Sequence, residues 1–197
     1  MTYIKFLVYK LCHPPTRRVL SYKQARKVIQ NELSREYIYT HPSRNEKTNT
    51  EHIFPQSFFK NHDDKRKLKS DLHHLYPCIM TINSKRGNYK FEEIDSDFSS
   101  DDEFEVDHKN RLFEPDEISK GNTARACAYI YCAYNDTRIL EIISPKTIVE
   151  WNKLDPVSDL ERARNDIILQ IQGNRNPFID YPHLVEQVFN NFDFDYK

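Results

Sequence analysis

The chain has 197 residues and a formal net charge of -1, with 38% hydrophobic and 30% charged residues. This length favours one domain around a buried core, and twelve Tyr and twelve Phe exclude a disordered chain. The absence of any run of about 18 apolar residues excludes a membrane span, and the four cysteines lack the Cys-x-x-Cys spacing of a zinc ribbon or redox pair, which predicts reduced, buried thiols.

The amino-terminal segment and the helices give the clearest local patterns. Residues 4–11 are apolar but interrupted by lysines, and no small-residue cleavage site follows, so no signal peptide is predicted. Ser21 and Gln24 have the spacing of a capping box at the start of a helix. Further helices are predicted at residues 123–134, from Ser144-Pro145, from Ser158 to Gly173 and from Pro182.

Two short segments, residues 50–54 and 72–76, are β-prone and are predicted as strands. The charge along the middle of the chain is uneven. Residues 60–90 carry eight basic side chains against three acidic ones, whereas residues 92–110 are strongly acidic. The acidic stretch has few apolar anchors, which predicts an exposed loop or irregular hairpin that would repel a polyanion.

The residues typical of metal-assisted phosphoryl hydrolysis lie between positions 51 and 88. His52 can take a proton from water, because imidazole has a reference pKa of about 6.5. Glu51 and Asn83 offer the oxygen ligands that Mg²⁺ prefers, and Arg86 can neutralise phosphate charge. Glu51 and His52 would face opposite sides of a regular strand, so the strand end is expected to twist or bulge.

Several nearby residues have two interpretations each. Lys65, Arg66, Lys67, Lys85 and Asn88 are candidate nucleic-acid contacts, although a basic run such as residues 65–69 is as often a solvated loop. Of His73 and His74, at most one can face the site, and each is interpreted as a core residue. A zinc site using one of them with Cys78 would need two more ligands. The tyrosines of residues 129–134 are interpreted as core, and residues 173–177 as a helix stop.

In order and spacing, these residues resemble the endonuclease I family, bacterial nonspecific nucleases built on the ββα-metal finger, also called the His-Me finger. The resemblance covers about two-thirds of the chain. It includes Glu51-His52 with Pro55-Gln56-Ser57, residues 71–75 and 83–89, Phe113-Glu114-Pro115, Lys120-Gly121, Ala124-Arg125-Ala126, Trp151, residues 155–158, Arg164-Asn165 and residues 172–180.

The resemblance implies an α+β fold: a mostly helical single domain over residues 1–197 with a small antiparallel sheet. The ββα-metal motif would span about residues 48–91, followed by the acidic loop and a helical part over residues 118–197. His52 matches the general base of the family, Glu51 and Asn83 match its metal ligands, and Arg86 and Asn88 lie in the matching helix start, where the family motif contacts or orients the site.

The implied activity is endonucleolytic cleavage with little sequence preference, leaving 5′-phosphate ends. The cofactor would be Mg²⁺, with Mn²⁺ as a substitute. The expected substrate is DNA, with RNA left open, and the protein is expected to be a monomer without an obligate protein partner. The missing signal favours an intracellular location over the export usual in the family.

Two positions depart from the family pattern. Asp116 follows Pro115 where the family has an arginine, and Arg66 or a neighbouring lysine would replace an arginine that the family places before Asp71. Two alternatives from other classes stay open: a noncatalytic nucleic-acid-binding protein on the same scaffold, and a zinc-stapled structural module.

Overall fold

A computed structural model describes residues 2–40, 46–94 and 104–190. The α-helices are α1 (Tyr3–Cys12), α2 (Tyr22–Asn31), α3 (Lys65–Leu68), α4 (Met80–Arg86), α5 (Glu117–Ala133), α6 (Pro145–Leu154), α7 (Asp159–Gln172), α8 (Pro177–Asp180) and α9 (Leu184–Phe189). The strands are β1 (Thr48–His52), β2 (Leu75–Ile79), β3 (Lys90–Phe91), β4 (Glu105–Asp107) and β5 (Leu112–Glu114). Two 3₁₀ turns span Leu72–His74 and Thr137–Glu141. The predicted α+β, mostly helical fold is confirmed.

The long helix α5 lies at the centre of the fold, and every residue from Ser119 to Ala133 is buried. It packs against α6 and α1. A Cβ atom at Gly121 would lie 2.0 Å from the carbonyl oxygen of Asp155, just after α6, so only glycine permits this approach. The helix predicted at residues 123–134 is confirmed, and it begins six residues earlier, at Glu117.

Several predicted helix ends agree with the structure, whereas the helix predicted from Pro182 begins at Leu184. Ser21 and Gln24 form the complete capping box of α2. Ser144 and Ser158 cap α6 and α7, and Gly173 ends α7 in the left-handed conformation. The four cysteines are buried and unpaired, as predicted. In the described residues, no helix combines the length and apolarity that crossing a bilayer requires.

An antiparallel hairpin of β1 and β2, followed directly by α4, forms the ββα unit. The register runs from Thr48 opposite Ile79 to His52 opposite Leu75. The first strand therefore ends two residues before the predicted limit. The second predicted strand, residues 72–76, is wrong at its start, because the Asp71 carboxylate accepts the His73 amide and caps a 3₁₀ turn there.

A second sheet with the order β3-β5-β4 lies after α4. Its β3–β5 pair is parallel and its β4–β5 pair is antiparallel. In the described part of the acidic stretch, β4 pairs with β5 in an antiparallel hairpin. Residues 95–103 of that stretch lie outside the described residues.

Asp71 connects segments that are distant in the chain. Its carboxylate accepts five hydrogen bonds, from Arg17 (2.8 Å), the His73 backbone (3.0 Å), Tyr129 (2.9 Å), Tyr134 (2.7 Å) and Gln172 (2.8 Å). Burial alone would raise the pKa of Asp71, but the Arg17 guanidinium, the adjacent histidines and the hydrogen bonds hold it well below its usual range. The turn that begins β2 is thereby fixed to α5 and α7.

Replacing this carboxylate should destabilise the fold in a pH-dependent way. We expect Asp71→Asn to lower the free energy of unfolding by about 3–5 kcal/mol near pH 6, because it leaves a buried cation and several donors without an acceptor. Since the folded-state pKa is depressed, this stabilisation is present above the unfolded pKa of about 3.9 and is lost as the pH falls below it.

Urea unfolding at pH 6 and pH 3 measures the difference in free energy of unfolding between wild type and Asp71→Asn. Asp63→Asn, at an exposed position, is the matched control. The gap between wild type and Asp71→Asn should narrow at pH 3. An equal gap at both values, or a loss as small as that of the control, contradicts the assignment.

Candidate active site at the end of the first strand

His52 is the last residue of β1 and is only 5% exposed. Its Nε2 lies 3.1 Å from the carbonyl oxygen of Lys69. A carbonyl can only accept, so Nε2 carries the hydrogen and Nδ1 is left as an acceptor. Nδ1 faces the exposed Gln56, whose amide nitrogen lies 3.5 Å away. Burial and the neighbouring His74 lower the pKa of His52 to about 3, so the ring is neutral at pH 7.

Three rings surround the His52 imidazole. The centroids of Tyr22 and His74 lie 5.5 Å from it, and that of Phe59 lies 6.1 Å away. Phe59 and His74 are fully buried, whereas Tyr22 keeps part of its surface exposed. The imidazole is therefore held by packing on several sides as well as by the Lys69 carbonyl.

The Glu51 carboxylate is buried and points to a different set of residues. Its Oε1 accepts from the Tyr39 hydroxyl at 2.8 Å and from Arg86 at 2.9 Å. Burial raises the pKa of Glu51, while Arg86 and Tyr39 oppose that effect by favouring the charged form. The carboxylate is thus preorganised by one cation and one hydroxyl.

Pairing continues through Glu51 and His52, so the bulge that was one of the two expected distortions of the strand end is absent. The two side chains accordingly contact different neighbours. They are linked through Arg86, which donates to the Glu51 carboxylate and, at 3.2 Å, to the His52 carbonyl oxygen.

Arg86 has no exposed surface. It also donates to the Ile53 carbonyl oxygen at 2.6 Å, and its guanidinium lies 4.4 Å from the centre of the Phe91 ring. The interpretation of Arg86 as a phosphate contact is therefore corrected: its hydrogen-bonded donors point to protein oxygens and it positions the end of β1.

Asn83 lies on the first turn of α4 and is half-buried. Its side-chain nitrogen donates to Asn49 Oδ1 at 2.8 Å. Asn49 and Glu51 share one face of β1, and Asn83 and Arg86 share one face of α4. Because Asn83 contacts Asn49 and Arg86 contacts Glu51, Asn83 lies on the same side of the hairpin as Glu51.

This arrangement fits a hard divalent cation. Glu51 offers a carboxylate, and the Asn83 nitrogen is occupied by Asn49, which leaves the Asn83 carbonyl oxygen as a candidate ligand. Oxygen donors in small number suit Mg²⁺, which keeps several waters in its coordination shell. Within the part of the chain that the structure describes, no group of three or more His, Cys, Asp or Glu side chains could hold a metal ion.

The predicted nucleic-acid contacts lie on two sides of the hairpin. Lys65, Arg66 and Lys67 form most of α3 and are exposed. Lys85 is also exposed, with its ammonium 5.2 Å from the centre of the Phe104 ring, and Asn88 accepts a hydrogen bond from Arg111. The α3 group is joined to the site by Lys69, which follows the helix and holds His52.

His73 and His74 are both buried, and each ring has its Nε2 next to a carbonyl oxygen, of Asn174 and Leu68 respectively. His74 lies beside His52, whereas His73 packs against Tyr129. Their interpretation as core residues is confirmed.

Tyr39, Asn49 and Lys69 are site neighbours that the sequence did not single out. Tyr39 adopts a φ of +76°, which is rare outside glycine, while its hydroxyl binds Glu51. Lys69 acts through its carbonyl oxygen, which no side-chain pattern reveals. Asn49 could have been found from its position, since it lies two residues before Glu51 on the same strand face.

Comparison with known proteins gives a consistent family. The model of the family described as Endonuclease I matches residues 18–183. An extracellular ribonuclease of Bacillus subtilis (strain 168) is 32% identical over 179 residues, which cover 77% of this chain and 60% of the relative. Endonuclease-1 of Buchnera aphidicola subsp. Baizongia pistaciae is 33% identical over 58% of this chain and 47% of its own length.

A third relative, an extracellular deoxyribonuclease of Aeromonas hydrophila, is 31% identical over 60% of this chain and 52% of its own length. The chain therefore spans from about half to three-fifths of the length of these curated relatives.

The buried pair of Glu51 and Arg86 should be strongly coupled. We expect Glu51→Gln and Arg86→Met each to destabilise the protein by about 3–5 kcal/mol, because each leaves a buried charge without its partner. The double variant should recover part of that loss, with a coupling energy of about 1–3 kcal/mol.

Thermal or urea unfolding of the four proteins measures the coupling. The exposed pair of Lys146 and Glu150, 3.8 Å apart, provides a matched control with an expected coupling of less than about 0.5 kcal/mol. Equal coupling in the two cycles would show that Arg86 does not hold Glu51.

Proposed function

The chain belongs to the endonuclease I family, and we propose from this premise that it is a metal-dependent endonuclease that hydrolyses phosphodiester bonds. The observation that best supports the proposal is the fixed tautomer of His52. Its Nε2 is held by the Lys69 carbonyl, so Nδ1 is an unprotonated acceptor at the strand end that also carries the preorganised Glu51 carboxylate. His73 and His74 are held in the same way, but their Nδ1 atoms are buried, whereas Nδ1 of His52 faces the exposed Gln56.

His52 would act as the general base. Its neutral Nδ1 takes a proton from a water, and the water oxygen attacks phosphorus in line with the 3′ oxygen. The bond between phosphorus and that oxygen breaks, which leaves a 5′-phosphate and a 3′ oxygen that takes a proton from solvent to become a hydroxyl. The Lys69 carbonyl stabilises the imidazolium that forms, because it accepts from Nε2 throughout the step.

Glu51 and Asn83 would hold Mg²⁺, with Mn²⁺ as a substitute. When bound, the cation supplies positive charge that stabilises the pentacoordinate transition state and the leaving oxygen. Tyr39 and Arg86 would orient the Glu51 carboxylate, and Asn49 would turn the Asn83 carbonyl oxygen towards the same side.

The proposed substrates are DNA and RNA with little sequence preference. Relatives bear the names ribonuclease and deoxyribonuclease, which favours recognition of the shared phosphate backbone. The exposed basic residues Lys65, Arg66 and Lys67 next to the site would bind that backbone, which carries no base information.

Removing the base should abolish cleavage without unfolding the protein. With Mg²⁺, we expect wild type to nick supercoiled plasmid and chelator to stop it. His52→Ala should lower the rate by about 10²–10⁴-fold, because the proton acceptor is lost. The exposed His183→Ala serves as control and should cut like wild type.

Activity that survives both chelator and His52→Ala would reject the mechanism. Salt-dependent binding by wild type, with no cleavage under Mg²⁺ or Mn²⁺, would instead support a noncatalytic nucleic-acid-binding protein.

The metal requirement should depend on Asn83. We expect Asn83→Ala to raise the Mg²⁺ concentration for half-maximal cleavage by roughly tenfold or more, because it removes one of two protein ligands. Asn61→Ala, an exposed amide in the same motif, provides the control. A Mg²⁺ requirement equal to that of wild type would exclude Asn83 as a ligand.

A further inference from the structure

Tyr22 packs against His52 and is partly exposed at the surface. Of the three rings packed around His52, Phe59 and His74 are fully buried, and Tyr22 alone is partly exposed. It is the first residue of α2, and the capping box at Ser21 fixes the backbone there. Among these three rings, Tyr22 therefore offers the accessible aromatic surface next to the imidazole.

Positive charge surrounds the same ring. The Lys69 ammonium lies 4.9 Å from the Tyr22 centroid, while the Lys69 carbonyl oxygen holds His52. Arg26 lies one turn further along α2, on the face that Tyr22 occupies, and is exposed. Lys69 caps the end of α3 and Arg26 lies on α2, so the two cations near Tyr22 come from different elements.

The position of α2 is fixed by its buried side. Ala25, Ile29 and Leu33 pack against Leu72 and Leu75, which belong to the turn and the start of β2. The helix therefore presents Tyr22 and Arg26 from a rigid base beside the catalytic hairpin. A rigid aromatic ring with flanking cations is the usual surface for a nucleic-acid strand, because bases stack on the ring and phosphates bind the cations.

We propose that Tyr22 contacts the substrate directly: the base of a nucleotide next to the cleaved phosphate stacks on its exposed face, and Lys69 and Arg26 bind the adjoining phosphates. The proposal rests on the proposed nuclease function. It adds Tyr22 and Arg26 of α2 to the basic residues of α3 as contacts for the nucleic-acid strand. Stacking is tolerant of base identity, since every base has an aromatic face. A contact of this kind would therefore be compatible with cleavage that has little sequence preference.

An abasic-site experiment tests the stacking. The substrates are end-labelled single-stranded oligonucleotides of uniform sequence, with or without one abasic nucleotide, and cleavage is quantified at every phosphate on a sequencing gel. Wild type should lose about tenfold in rate at one phosphate neighbouring the abasic nucleotide. Tyr22→Leu should cleave every phosphate of the intact strand about tenfold more slowly than wild type. On the abasic strand, its rate at the neighbouring phosphate should fall no further.

Tyr22→Phe separates ring from hydroxyl and should cut within about twofold of wild type, because stacking needs only the ring. If Tyr22 serves only to pack against His52, Tyr22→Leu will show the same loss on abasic and intact strands, which overturns the proposal. Should Tyr22→Leu fail to fold, a wild-type cleavage pattern that ignores the abasic nucleotide overturns it equally.

Binding without turnover distinguishes this proposal from the nuclease function. In chelator, fluorescence anisotropy with the intact oligonucleotide should show about tenfold weaker binding by Tyr22→Leu. Arg26→Gln should reduce the slope of log affinity against log salt by about 0.7, the share of one phosphate on a single strand. Lys153→Gln, on the exposed side of α6, should change neither quantity.

If the wild type never cleaves and Tyr22→Leu binds the strand more weakly, the nuclease function is rejected and the Tyr22 contact is kept. Unchanged binding and an unchanged salt slope in both variants would reject the contact, whether or not the wild type cleaves.

Discussion

The buried Asp71 carboxylate determines where the β1–β2 hairpin lies. Its five donors come from the segment after α1, from its own turn, from α5 and from the end of α7. A carboxylate this deeply buried stays charged only if cations and hydrogen-bond donors surround it. Satisfying it fixes the 3₁₀ turn that places His74 beside His52 and begins β2. The hydrogen bonds to Asp71, which lies outside the site, thus help to set the geometry of the site.

The site combines two differently built faces of one strand end. On one face, Tyr39 and Arg86 bind the Glu51 carboxylate; on the other, the Lys69 carbonyl and three rings confine the His52 imidazole. Arg86 connects the faces because it also binds the carbonyl oxygens of His52 and Ile53. Because Arg86 is buried and hydrogen-bonded to protein oxygens, it positions the end of β1.

Local patterns predicted much of this fold from the sequence. The capping box at Ser21 and the glycine stop at Gly173 depend on neighbouring residues, and both are confirmed. The family pattern also pointed to Glu51 and Asn83, which lie on one side of the hairpin. The turn after Asp71, the burial of Arg86 and the approach of Tyr22 to His52 depend on residues far apart in sequence, and so no local pattern could predict them.

The central claim is that His52 presents a neutral, unprotonated Nδ1 because Lys69 holds its Nε2 hydrogen. Long-range proton–nitrogen NMR correlation on the histidine side chains measures this directly, with His52→Ala used to assign the signals. At pH 7 we expect a protonated Nε2 and an unprotonated Nδ1 at His52. An imidazolium at that pH, or a neutral ring with its hydrogen on Nδ1, would contradict the account.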